Sequence, residues 1–144
     1  MTVQIPTGAG SARVFHFSQA TLYDPASQGA INVIDYAEDC LEFSGELVYT
    51  ESSMAIEQGG RRFIANTDGI CSKSGWSAAP ARASLRAADF RLFDGPACPT
   101  GASCPDFSAG GAPLRLGYWR ITFGSPGGAG AHGIDNWKVT VWRR

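Results

Sequence analysis

The sequence predicts an all-β fold, a two-sheet antiparallel β-sandwich with at most one short helix. Three observations predict it. Short runs alternate apolar and polar residues with a period of two, as half-buried strands do. Turn formers are abundant, with 18 Gly and 8 Pro in 144 residues, and they stand mostly between those runs. No repeat of 20–50 residues and no dividing linker is present, so residues 1–144 read as a single domain with one core.

The elements follow in order. Residues 1–10 form a candidate N-terminal arm. Residues 13–18 alternate, with Phe15 and Phe17 on one side. Tyr23-Asp24-Pro25-Ala26-Ser27-Gln28-Gly29 is a turn cluster, and residues 30–36 are strongly β-prone. Phe43, Leu47 and Tyr49 share the next face, opposite Glu42, Ser44, Glu46 and Val48. Residues 53–57 and 62–65 flank Gln58-Gly59-Gly60, a hairpin signal. Residues 78–93 are ambiguous. Ala81, Leu85, Ala88 and Leu92 have helical spacing, whereas Asp89-Phe90-Arg91-Leu92-Phe93 suits a strand, so a short helical turn leading into a strand is expected. Residues 114–123 form a clear strand, with Trp119, Ile121 and Phe123 expected to face in and Tyr118, Arg120 and Thr122 out. After a Gly/Pro-rich turn, Gly133-Ile134-Asp135-Asn136 reads as the entrance to the last strand. Trp137, Val139 and Val141 fall on one of its faces, Lys138, Thr140 and Trp142 on the other.

Bulk properties exclude some classes of function. A net charge of −1 gives no global case for nucleic acid. No apolar run approaches the roughly 18 residues of a membrane span. Residues 14–60 hold eight acids and no Lys or Arg, and the remainder holds 12 basic and 5 acidic groups. The two parts therefore attract each other, within one molecule or between neighbours, unless folding mixes them in space.

Four cysteines, Cys40, Cys71, Cys98 and Cys104, allow two disulfides in three pairings. The short Cys98-to-Cys104 loop contains Pro and Gly and suits a local bridge, which leaves Cys40 to pair with Cys71. Zinc would need closer pairs, and four free thiols would suit a cytosolic protein. Disulfides imply an extracellular or surface setting, although residues 1–10 lack the basic start and apolar middle of a signal peptide.

Tyr23-Asp24-Pro25, Asp35-Tyr36, Gln58-Gly59-Gly60, Trp76, Ala88-Asp89-Phe90, Pro105-Asp106-Phe107-Ser108, Gly117-Tyr118 and a closing Gly133-Ile134-Asp135-Asn136-Trp137 occur in this order. The chain thereby resembles, over nearly its whole length, a widespread group of bacterial proteins with the concanavalin A-like lectin/glucanase, or laminin-G-like, jelly roll. The resemblance implies a jelly roll that serves as sugar binder, glycan hydrolase, adhesion module or structural part of a virion or surface.

A retaining glucanase needs two carboxylates about 5 Å apart. Glu38 and Glu42 share a strand face, but Cys40 stands where the glucanase pattern Glu-x-Asp-x-x-Glu has its Asp. A solvated acidic face is expected there, and the chain reads as a non-enzyme. His16 and His132 have no recognisable nucleophile beside them, and Gly127-Gly128-Ala129-Gly130 lacks the Lys-Ser/Thr ending of a phosphate loop. No cofactor is required. A structural Ca²⁺ would take Asp135 and Asn136, with Asp24 or Asp35 as a distant partner, and without it Asp135 and Asn136 bond backbone groups as Asx residues do. Sugar rings stack on exposed aromatic faces, for which Trp76, Tyr118, Trp142 and Tyr36 are the candidates, with Trp119 and Trp137 assigned to the core. The expected function is a lectin-like module binding glycan or another cell-surface ligand. The alternative is a structural subunit of a virion, filament or surface layer that assembles with itself or its neighbours.

Overall fold

Alternating apolar residues pay off in a sheet only when a second layer covers them, and the chain supplies that layer by crossing between two sheets. The computed structural model describes residues 1–45, 47–66, 69–78, 81–98 and 104–144. The strands are β1 (Thr2–Gln4), β2 (Ser11–Tyr23), β3 (Ile31–Gly45), β4 (Leu47–Gln58), β5 (Arg61–Ala65), β6 (Gly69–Ile70), β7 (Ser77–Ala78), β8 (Arg82–Leu85), β9 (Phe90–Leu92), β10 (Leu114–Gly124) and β11 (Ala129–Arg143). One sheet has the order β1-β11-β3-β7, with β8 also on β3. The other has the order β2-β10-β4-β5-β9, with β6 also on β4. Every pairing between these strands is antiparallel. The expected all-β sandwich is what the chain forms.

Local chemistry sets the turns. The Tyr23–Gly29 cluster winds into the four-residue helix α1 (Pro25–Gln28). Asp24 caps it by accepting the Ala26 N–H, and Pro25 occupies the first turn, where its missing N–H costs nothing. Gly59 (φ 56°) and Gly60 (φ 73°) join β4 to β5, the doubly positive φ pair of a tight hairpin. The ambiguous 78–93 segment holds β8, a 3₁₀ turn (Ala87–Asp89) and β9, so the helical turn leading into a strand is present, though short. The N-terminal residues are tied down by their own chain. β1 pairs with Ala129–Ala131, the Met1 amino group donates to the His132 carbonyl, and Val3 and Ile5 are buried.

Two facings differ from expectation. Residue Arg120 pairs with Ser52, and both turn inward with Tyr118 and Thr122, toward the other sheet. Trp119 and Ile121 are buried instead in a second apolar cluster with Ala55 and Ile64, flanked by Phe15, Phe17, Phe93 and Phe123, on the opposite face of the six-stranded sheet. That face carries enough apolar bulk to make its own cluster, while the inward positions of β10 run from apolar Leu114 and Leu116 to polar Arg120 and Thr122. The Glu38/Glu42 face of β3 is likewise not solvated. Both side chains point into the sandwich and are buried. Glu42 meets Lys73 at 3.4 Å, and Glu38 meets Arg120 at 3.0 Å across the sheets. The facing expected for Ser44, Glu46, Leu47 and Val48 lies outside the described side chains.

The last strand also begins earlier than expected, at Ala129. Asp135 pairs with Asp39 and Lys138 with Ala37, so Asn136 and Trp137 together stand opposite a single residue, Glu38. This is a β-bulge. It reverses the alternation, so His132 and Ile134 before it and Trp137, Val139 and Val141 after it share the inner side. The main core gathers Ile31, Ile34, Met54, Ile56, Phe63, Phe90 and Leu114, with Trp137, Val139 and Val141 packed against it. Both expected disulfides are present, Cys40–Cys71 and Cys98–Cys104.

Candidate functional site

The outer face of the five-stranded sheet is built from the odd positions of β3 from Val33 to Leu41 and the residues opposite them on β11. In strand order the rows are Val33/Trp142, Asp35/Thr140, Ala37/Lys138, Asp39/Asp135 and Leu41/Gly133. Trp142 is 53% exposed, yet its ring does not swing freely. Its Nε1–H donates to Asp35 Oδ2 at 2.7 Å, and Asp35 Oδ1 accepts the Ser84 N–H at 2.7 Å. These two donors, the Ser84 amide first, hold the Asp35 carboxyl below the usual carboxylate range. Ser84 makes its bond from a left-handed backbone (φ 60°), a costly conformation for a residue with a side chain. Beside Trp142 lies an open hollow of about 410 Å³, lined by Ala37, Ala81, Ala83, Lys138 and Thr140 as well as Asp35. Three alanines leave room there, beside the charged side chains of Asp35, Arg82 and Lys138. Chemically, the arrangement offers a fixed aromatic plane next to hydrogen-bonding groups, which suits a ring that is apolar on its face and polar at its edge.

The four aromatic candidates do not converge. Trp142 borders the hollow. Trp76 lies on the same outer face at its other end, against Phe43. Tyr36 contributes to the hollow's floor, but its side chain is 2% exposed and points inward, so its ring is no platform. Tyr118 is partly buried and lines a separate hollow with His16, Phe17 and Trp137, where its ring stacks on His16 at 4.6 Å. The sequence reading missed Ala37 and Lys138, and it named Asp35 only as a distant partner for calcium. A signal for Lys138 was available, because it shares a face with the candidate Trp142 by simple alternation.

Asp135 and Asn136 spend their polar atoms on the bulge. The Asn136 N–H donates to Asp135 Oδ1 at 2.8 Å, and Asn136 Nδ2 donates to Asp39 Oδ2 at 2.6 Å. Among the described residues no group of three or more His, Cys, Asp or Glu side chains could hold a metal ion.

Between the sheets lies a second polar centre. Arg120, fully buried, pairs with Glu38, donates to the Ser52 hydroxyl, and has its guanidinium 4.6 Å from the centre of the Tyr118 ring. Glu38 accepts the Tyr36 hydroxyl at 2.5 Å and the Ser52 hydroxyl as well. Burial first, and Glu38 second, push the Tyr36 phenol well above its ordinary range. Burial, reinforced by Arg120, pulls His132 down to about 4, so it is neutral at pH 7. Glu38 and Arg120 are sealed from solvent and paired with each other, while Arg120 Nε and His132 Nδ1 find no partner among the described residues. Its chemistry is that of a cross-brace between sheets.

No family model, curated protein or solved structure matches the chain.

Proposed function

We propose that the chain is a non-catalytic, lectin-like binding module, similar in kind to the concanavalin A-like jelly rolls. It recognises glycan or another surface ligand with the outer face of the five-stranded sheet. One observation carries this reading. An exposed tryptophan, Trp142, is held in one orientation by Asp35 at the edge of an alanine-lined hollow. Ring and carboxylate are set before a ligand arrives, which lowers the cost of ordering them on binding. Two disulfides fit a module working in an extracellular or surface setting. The reading requires neither a cofactor nor the Ca²⁺ that Asp135 and Asn136 would hold. Screening the protein against a glycan array, with a Trp142→Ala variant alongside, tests it. Hits that weaken about tenfold in the variant, roughly 1.4 kcal/mol, are the expected result. An array without hits, or hits indifferent to Trp142, would sink the reading.

A second reading, a structural subunit of a particle, filament or surface layer, draws on the opposite side of the molecule. There Phe15, Phe17, Phe93 and Phe123 ring the Trp119 cluster on the outer face of the six-stranded sheet, and a face of this apolar character suits a neighbouring chain. Light scattering separates the two readings, since a large particle together with a blank glycan array favours assembly.

A further inference from the structure

Resting on the glycan-binding reading, we propose that the ligand is a linear polysaccharide, neutral or amino-bearing, that lies along β3 and β11 and occupies two aromatic stations. Trp142 is one station and the Trp76–Phe43 pair is the other.

The second station has its own geometry. Trp76 is 48% exposed and Phe43 55%, and their rings meet edge to face at 5.9 Å. They sit directly on Gly133. A Cβ at that position would come within 2.8 Å of Phe43 and 2.9 Å of Trp76, closer than carbon atoms pack. Glycine here lets two large rings settle on the sheet while keeping an outer surface open to solvent. The two stations share one face. Trp142 stands opposite Val33 and Gly133 opposite Leu41, eight residues along the same strand. At about 3.3 Å per residue they are roughly 26 Å apart. A single sugar ring cannot touch both, whereas an extended chain of several rings can.

The surface between the stations is polar and mostly acidic. The rows crossed are Asp35/Thr140, Ala37/Lys138 and Asp39/Asp135. One oxygen of Asp39 and one of Asp135 are taken by Asn136, and the other oxygen of each accepts nothing from the described residues. These oxygens suit hydroxyl or ammonium donors spaced along a chain. Three carboxylates, Asp35, Asp39 and Asp135, outnumber the two cations of this strip, Lys138 and Arg82, and the net negative charge disfavours a uronate or sulfated polymer. Two separated contacts on one ligand also make affinity depend on ligand length, because the second contact forms at high effective concentration once the chain spans the gap.

The experiment measures affinity for cello-, manno- and chito-oligosaccharide ladders of one to six rings, with an oligogalacturonate ladder as the acidic comparison. The proteins are the wild type, Trp142→Ala, Trp76→Ala and Trp76→Phe, each first checked for a native circular dichroism spectrum. Affinity is expected to climb at least tenfold from dimer to hexamer in a neutral or amino ladder. Trp142→Ala should weaken every length and Trp76→Ala only the longer ones, with Trp76→Phe recovering part of the loss. Oligogalacturonates should bind at least tenfold more weakly. A flat length dependence, a hexamer indifferent to Trp76→Ala, or a preference for the acidic ladder overturns the two-station track and leaves binding at Trp142 standing. Failure of every ladder, together with a blank glycan array, overturns both.

Discussion

At the scale of single residues, the most consequential pair is Glu38 and Arg120. Each is buried, and each would be an uncompensated charge without the other. A buried ion pair adds little net stability, because desolvation offsets the attraction, but removing one partner strands the other. Arg120→Met leaves the Glu38 carboxylate facing only hydroxyls, and Glu38→Gln leaves a guanidinium with no counter-charge. Each single change is expected to cost about 3–5 kcal/mol in urea denaturation. The double variant Glu38→Gln/Arg120→Met should recover at least half of the summed loss, since the amide can accept from one of the Tyr36 and Ser52 hydroxyls and donate to the other, and neither position keeps a buried charge. Strictly additive losses would show that the two residues act independently. None of this pairing was legible in the sequence. Glu38 and Glu42 alternate as an acidic face would, and an acidic face is ordinarily solvated. The cation that reverses that inference lies 82 residues away.

At the scale of elements, β11 shows where periodicity succeeds and where it fails. The inward set of Trp137, Val139 and Val141 was readable from alternation alone, and so was the outward Trp142. The first half of the strand was not readable, because the alternation restarts at Asn136. The restart depends on a left-handed backbone (φ 48°) at that residue, and no period-two pattern encodes it. Asparagine tolerates this conformation far better than a β-branched residue does. Asn136→Gly and Asn136→Val both lose the bond to Asp39, so their difference isolates the backbone. The valine variant is expected to be less stable than the glycine variant by about 1–2 kcal/mol in thermal or urea unfolding. Equal stabilities would mean that the bulge relaxes at no cost. The bulge is what keeps Trp142 on the outer face while Trp137 stays inside, so this element-level irregularity positions the binding surface.

At the scale of the whole molecule, β10 lies between β2 and β4, and β11 between β1 and β3, so late strands insert between early ones in both sheets. This topology resolves the lopsided charge. Glu38–Arg120, Glu42–Lys73 and Glu57–Arg115 each join the acid-rich stretch to the basic remainder within one chain. The attraction visible in the sequence is therefore at least partly satisfied inside the fold. The disulfides act on the same scale with unequal reach. Cys40–Cys71 spans 31 residues and ties β3 to the chain just past β6, in the other sheet, whereas Cys98–Cys104 spans 6. If a cross-link acts chiefly by restricting the unfolded chain, the longer loop contributes about 4 kcal/mol and the shorter about 2. Cys40→Ala/Cys71→Ala should then lower unfolding free energy by more than Cys98→Ala/Cys104→Ala, by roughly 1–2 kcal/mol. Cys40 and Cys71 are also buried, so in the native protein their bond should resist a reductant until denaturant is added. If removing the short bridge costs as much as removing the long one, restriction of the unfolded chain does not explain their contribution. The Cys98–Cys104 bridge would then be stabilising the folded state directly.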